Sequence, residues 1–125
     1  MSNNELQSIL LKVSQTADFY GKQVIDVNSK GMFGTTPLHL AVTWGDLAAG
    51  KILLSAGADA NACGEYGYTP LHEAVDQGSI AFVELLLAHG ASPINKNQEG
   101  LSVLEFANSL KEVEISRLLA KNIES

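Results

Sequence analysis

One cysteine, Cys63, among 125 residues leaves no partner for an internal disulfide, so a reducing compartment is expected. No apolar run approaches the roughly 20 residues that span a bilayer, which excludes a membrane protein. The opening segment MSNNELQSIL has neither the basic start nor the small-residue cleavage site of a secretory signal, and the expected localisation is cytoplasmic. Basic residues are scarce too. Eight Lys and Arg stand against 14 Asp and Glu, for a net charge of −6. The charge argues against nucleic acid, which needs a basic face, and favours a protein partner with a neutral or basic surface. There is no G-x-S-x-G elbow, phosphate-binding glycine loop or paired metal motif, so neither catalysis nor a cofactor nor a metal is expected.

What the chain does have is apolar content, and it repeats itself. With 46% hydrophobic and 18% charged residues, the composition fits one soluble domain spanning 1–125. Thr36-Pro37-Leu38-His39 returns 33 residues on as Thr69-Pro70-Leu71-His72, and again as Ser102-Val103-Leu104-Glu105. Gly34, Gly67 and Gly100 keep the same interval, as do Ala41, Ala74 and Ala107. A second block, KILLSAGADAN from Lys51, recurs as ELLLAHGASPI from Glu84 and as RLLAKN from Arg117. A fixed period in several columns predicts a stack of like units.

Each unit reads as a helix pair. Thr36 and Thr69 are N-caps whose hydroxyls can accept from the backbone N–H three residues on. Pro37 and Pro70 suit the first helical position. In the third copy Ser102 and Glu105 form a capping box. The first helices run to Gly45 and Gly78, with Lys111 in that column of the third copy. The second helices end at Gly57 and Gly90, and Ile80, Val83 and Leu87 share one face of the middle one. In the last copy Val83 gives way to Ser116 and Leu87 to Ala120, the polar change an end unit needs, and Lys121, Asn122 and Glu124 follow. At the other end Leu6, Ile9, Leu10 and Val13 have helical spacing and predict a cap, whereas residues 14–23 match the repeat poorly.

These residues resemble the ankyrin-repeat family: G-x-T-P-L-H-x-A-V at Gly34–Val42 and Gly67–Val75, and L-L-x-x-G-A-D-A-N at Leu53–Asn61. The resemblance covers roughly residues 24–120, with Asp26–Asn28 marking entry to the first copy. Ile94, Val103, Glu105 and Lys111 depart from its pattern. It implies an all-α solenoid of helix-turn-helix units with projecting hairpin loops, about three repeats (24–56, 57–89, 90–125) behind an N-terminal cap (1–23). It also implies that a partner meets the loop tips and the concave face of the first helices. His39 and His72 recur, on this resemblance, because they hydrogen-bond the capping threonine and neighbouring backbone. A metal pair is the weaker reading, since no further ligand lies at H-x-x-x-H spacing. Asn28 and Asn61 sit where hydroxylases modify some members of the family. His89 suits a helix C-terminus, and Cys63 reads as a surface thiol.

In that register the partner-facing columns hold Met32, Phe33, Thr35, Thr43 and Trp44 in the first copy. They hold Glu65, Tyr66, Tyr68, Asp76 and Gln77 in the second, and Gln98, Glu99 and Leu101 in the third. Half of the eight aromatics fall in five columns of 33. Interfaces favour such rings, and folding does not ask for them at loop tips. Glu65, Glu73, Asp76 and Glu99 form an acidic rim in columns without a base, whereas Asp46, Glu84, Glu112 and Glu114 read as a solvated outer face. The expectation is a monomeric, non-catalytic module that binds another protein. The alternative is a dedicated inhibitor or immunity-type protein that occludes a toxin or enzyme. Trp44→Ala and Tyr66→Ala are each expected to weaken binding by about 2 kcal/mol or more with little effect on stability.

Overall fold

The structure, a computed structural model, describes residues 2–22 and 26–124. Residues 23–25, which include the expected cap boundary and the start of the first repeat, lie outside the described residues, as do Met1, Ser125 and the side chains of Ser2, Asn3 and Glu124. Among the described residues there are seven α-helices and no strand: α1 (Ser2–Ser14), α2 (Pro37–Trp44), α3 (Leu47–Ser55), α4 (Pro70–Asp76), α5 (Ile80–Ala88), α6 (Val103–Ser109) and α7 (Val113–Glu124). Helices α2/α3, α4/α5 and α6/α7 pack as pairs, and α2, α4 and α6 stack in one layer over α3, α5 and α7 in another. The chain is an all-α solenoid, as expected.

The caps explain where the first helices begin. Thr36 Oγ1 accepts from His39 N at 3.4 Å, and His39 Nδ1 accepts in return from Thr36 N at 3.1 Å. Thr69 and His72 repeat this at 3.3 and 3.2 Å. In the third pair Ser102 and Glu105 close the same box with a carboxylate, at 3.1 and 2.9 Å. Each box satisfies two backbone N–H donors that the helix itself cannot. The histidines reach further. His39 Nε2 lies 2.9 Å from the Tyr68 carbonyl and His72 Nε2 lies 3.2 Å from that of Leu101. Since Nδ1 accepts from a backbone N–H, Nε2 carries the proton and donates, so each neutral ring ties its repeat to the next. Glu105 is too short of donors to do so.

The core follows the stacking. Leu38 and Leu71 are fully buried by the succeeding pair, as are Val42 and Val75, while their counterparts Leu104 and Asn108 are half-buried and exposed. Each fully buried leucine or valine contributes about 1.5–3 kcal/mol. Helix α5, covered on both sides, buries Phe82 and Leu86 beside Val83, while Ile80 lies at the rim. Lys111 keeps the left-handed turn that Gly45 uses between helices, with φ of 60° against 69°. The lysine therefore preserves the turn at a conformational cost.

At the front, α1 packs Leu10 and Val13 inward, and the 3₁₀ turn Ala17–Phe19 adds a fully buried ring. Phe19 packs beneath the first hairpin where His39 lies beneath the second, but its ring has no donor for a hydrogen bond. A Cβ on Gly31 would lie 3.0 Å from the Phe19 ring, as one on Gly64 would lie 3.0 Å from His39 Nε2. The segment that matched the repeat poorly thus covers the outer side of the first helix pair.

Candidate functional site

The hairpins project from the stack at Met32–Gly34 and Glu65–Gly67, each closed at its base by paired backbone. Gly31 N donates to Thr35 O at 2.7 Å, and Gly64 N donates to Tyr68 O at 2.8 Å. At their tips Phe33 and Tyr66 have φ of 60° and 58° and are followed by Gly34 and Gly67, also with positive φ. With Thr35 N bonded to Met32 O at 3.1 Å and Tyr68 N to Glu65 O at 3.1 Å, these are type I′ turns. Such turns favour Asn or Asp before Gly. An aromatic residue there costs about 1–2 kcal/mol in backbone conformation.

The two tip rings are exposed, Phe33 by 65% and Tyr66 by 64%, beside Met32 at 48%. Glu65, Gln98 and Glu99 are also exposed at the tips, as are Thr43, Asp76 and Gln77 where the first helices end. Gln77 Nε2 donates to the Thr43 carbonyl at 3.3 Å, and Gln98 N donates to Tyr66 O at 2.9 Å, so neighbouring repeats are tied along this face. Thr35 and Leu101 are half-buried.

Trp44 and Tyr68 differ from the expectation that all four rings are surplus to folding. Trp44 is half-buried against Val13, Phe19 and Leu40, with Lys12 Nζ 4.2 Å from its ring centroid. It fastens the cap to α2. Tyr68 packs edge-on to Phe106 at 5.3 Å and tilted to His72 at 5.4 Å. These two therefore stabilise the stack, because α1 and Phe106 happen to lie opposite them. Sequence columns carry no record of such neighbours.

The concave face is electrically one-sided. Glu73, half-buried on α4, takes the place that Leu40 and Phe106 hold in their repeats. Burial raises its pKa first; the charges of Asp76 and Glu65 add to this, and Asp18 contributes, against a lowering hydrogen bond to Thr43. Burial likewise pushes the Tyr68 phenol up, followed by the charges of Asp76, Glu99 and Glu73. Five carboxylates thus act on one surface. Asp18 was not anticipated, because it belongs to the cap and has no repeat column.

No group of three or more His, Cys, Asp or Glu side chains that could hold a metal occurs among the described residues. Cys63 is an exposed free thiol. His89 Nδ1 lies 3.1 Å from the Leu85 carbonyl at the end of α5. No helix among the described residues is long and apolar enough to cross a membrane.

A family model for ankyrin repeats, in three copies, matches residues 2–97 and, in a second alignment, 57–125. No curated protein is similar enough to count as a match. Ankyrin repeats generally serve as protein–protein interaction modules and are generally non-enzymatic.

Proposed function

This chain belongs to the ankyrin-repeat family, and on that premise we propose that it is a monomeric recognition module whose hairpin tips and concave face bind a partner protein with a basic surface. The cap is assigned to 1–23 and the repeats to 24–56, 57–89 and 90–125. Phe33 and Tyr66 are the anchors, with Met32 beside them; Thr35, Thr43, Gln77 and Gln98 line the approach, and Glu65, Asp76 and Glu99 select for positive charge. Trp44 and Tyr68 contribute their exposed edges.

One observation carries the reading. Two large rings stand in solvent at adjacent tips, on backbones where an asparagine would be cheaper. Strain kept at a surface, with no packing to reward it, is the signature of a binding role. The acidic field over the same face supports the choice of a basic partner.

The test is the affinity of the partner captured from native lysate, measured with purified proteins. Tyr66→Ala is expected to cost about 2 kcal/mol of binding, the hot-spot scale, and raised salt should slow association. A partner whose affinity is indifferent to Phe33→Ser and Tyr66→Ser would overturn the proposal.

A further inference from the structure

Between the first two tips lies a cleft of about 460 Å³ lined by Phe33, Gly64, Glu65, Tyr66 and Gln98. That is the scale of a pocket able to hold a compact ligand or a long side chain. Its walls are two exposed rings and a carboxylate, and none of the lining residues is a base. The hydrogen bond from Gln98 N to Tyr66 O ties the Tyr66 wall to the next repeat.

We propose that this cleft is a socket for one cationic side chain, a Lys or Arg projecting from the partner protein. The inference rests on the reading that the tips meet a partner, and names the chemistry that fills one part of that surface. The faces of aromatic rings attract a cation, and more strongly once water is excluded. Glu65 supplies a full opposite charge, within the field that also reaches Glu73. An apolar side chain in the same place would desolvate Glu65 and return nothing for it.

The floor is suited to a cation as well. A Cβ on Gly64 would lie 3.0 Å from His39 Nε2, so the glycine leaves backbone over the buried imidazole. Burial holds the His39 pKa below its ordinary 6.5, so the ring is neutral at pH 7 and does not repel the guest. Lys30, whose charge is felt at His39, does not line the cleft.

The test is a titration of the full ¹⁵N-labelled chain with N-acetyl-arginine amide, N-acetyl-lysine amide and N-acetyl-leucine amide, read by NMR. Saturable shifts are expected at the amides of Gly64, Glu65, Tyr66 and Gln98 with a cationic probe and not with the leucine probe. Glu65→Gln should weaken the effect about threefold and Phe33→Ser should remove it, with the remaining spectrum unchanged. Equal shifts from the leucine amide, or none from either cation at its solubility limit, would overturn the socket. Binders selected from an unbiased peptide library separate this failure from failure of the parent reading. Binders lost on Tyr66→Ser but indifferent to Glu65→Gln keep recognition and discard the cation; binders indifferent to both Phe33→Ser and Tyr66→Ser discard recognition.

Discussion

At Phe33 and Tyr66 the hairpin backbone is left-handed, whereas at Glu99, the same position of the third hairpin, it is not. The difference lies two residues earlier. Asn97 replaces the glycine of the first two copies, and its Oδ1 accepts from Glu99 N at 3.0 Å and from Leu101 N at 3.1 Å. The side chain thus takes over the Leu101 N–H, whose counterparts at Thr35 and Tyr68 bond backbone carbonyls, and the tip relaxes. The cost is local: Asn97 is buried and its Nδ2 has no partner. One fold therefore has two ways to make its tip, and the aromatic tips use the strained one.

The largest effect should come from the link beneath the hairpins. His72→Ala empties a fully buried site, leaves the Thr69 N–H without its partner and removes one of the two hydrogen bonds to the Leu101 carbonyl, the other coming from Asn97 N. A loss of about 3 kcal/mol is expected in chemical denaturation. Glu105→Gln, exposed in the third box, should cost under about 1 kcal/mol. Comparable losses would mean that the two kinds of cap are not different in kind.

Acid should act through the same histidines. Burial lowers both pKa values below 6.5. The unfolded chain therefore binds the proton first, so stability is full above about pH 6.5 and declines as pH falls below it. Melting temperature measured from pH 7.5 down to 5 should drop, and His39→Gln should flatten part of that slope. A flat profile in the unmodified protein would contradict the neutral-ring linkage.

Next, Asn97→Ala should cost about 1–2 kcal/mol by stranding two backbone donors, partly offset by removal of the orphaned Nδ2. Smallest and most telling is a gain. Tyr66→Asn and Phe33→Asn should each stabilise the fold by up to about 1 kcal/mol, while Glu99→Asn should not. Thermal scans of the three variants would remove the comparison if all behaved alike. Trp44→Ala, by contrast, should lower the melting point, because it detaches the cap.

The helix pairs, their caps and the polar end face were legible in the sequence because period, capping chemistry and helix-face spacing are local rules. Leu38, Thr69 and Ser102 needed no knowledge of their neighbours. Trp44 and Tyr68 did: whether each ring is free depends on α1 and Phe106, far away in the chain. Phe19 and Asp18 escaped because they lie outside the repeated columns. The left-handed tips escaped because aromatic residues rarely adopt that backbone, and Asn97 reads as an ordinary turn residue until its carbonyl is seen capping the loop.

Asn28 donates to the Gly57 carbonyl at 3.1 Å and accepts from Asp59 N at 2.8 Å; Asn61 does the same to Gly90 and Ser92 at 3.0 and 2.8 Å. Ile94, next in that series, has no amide to offer and is exposed. Because each unit of a solenoid contacts only its neighbours, such bridges set whether it melts in one transition or several. Cutting Asn61 alone should loosen the last helix pair first, read as faster amide exchange in α6 and α7 than in α2 and α4, while the shared core keeps the three pairs together.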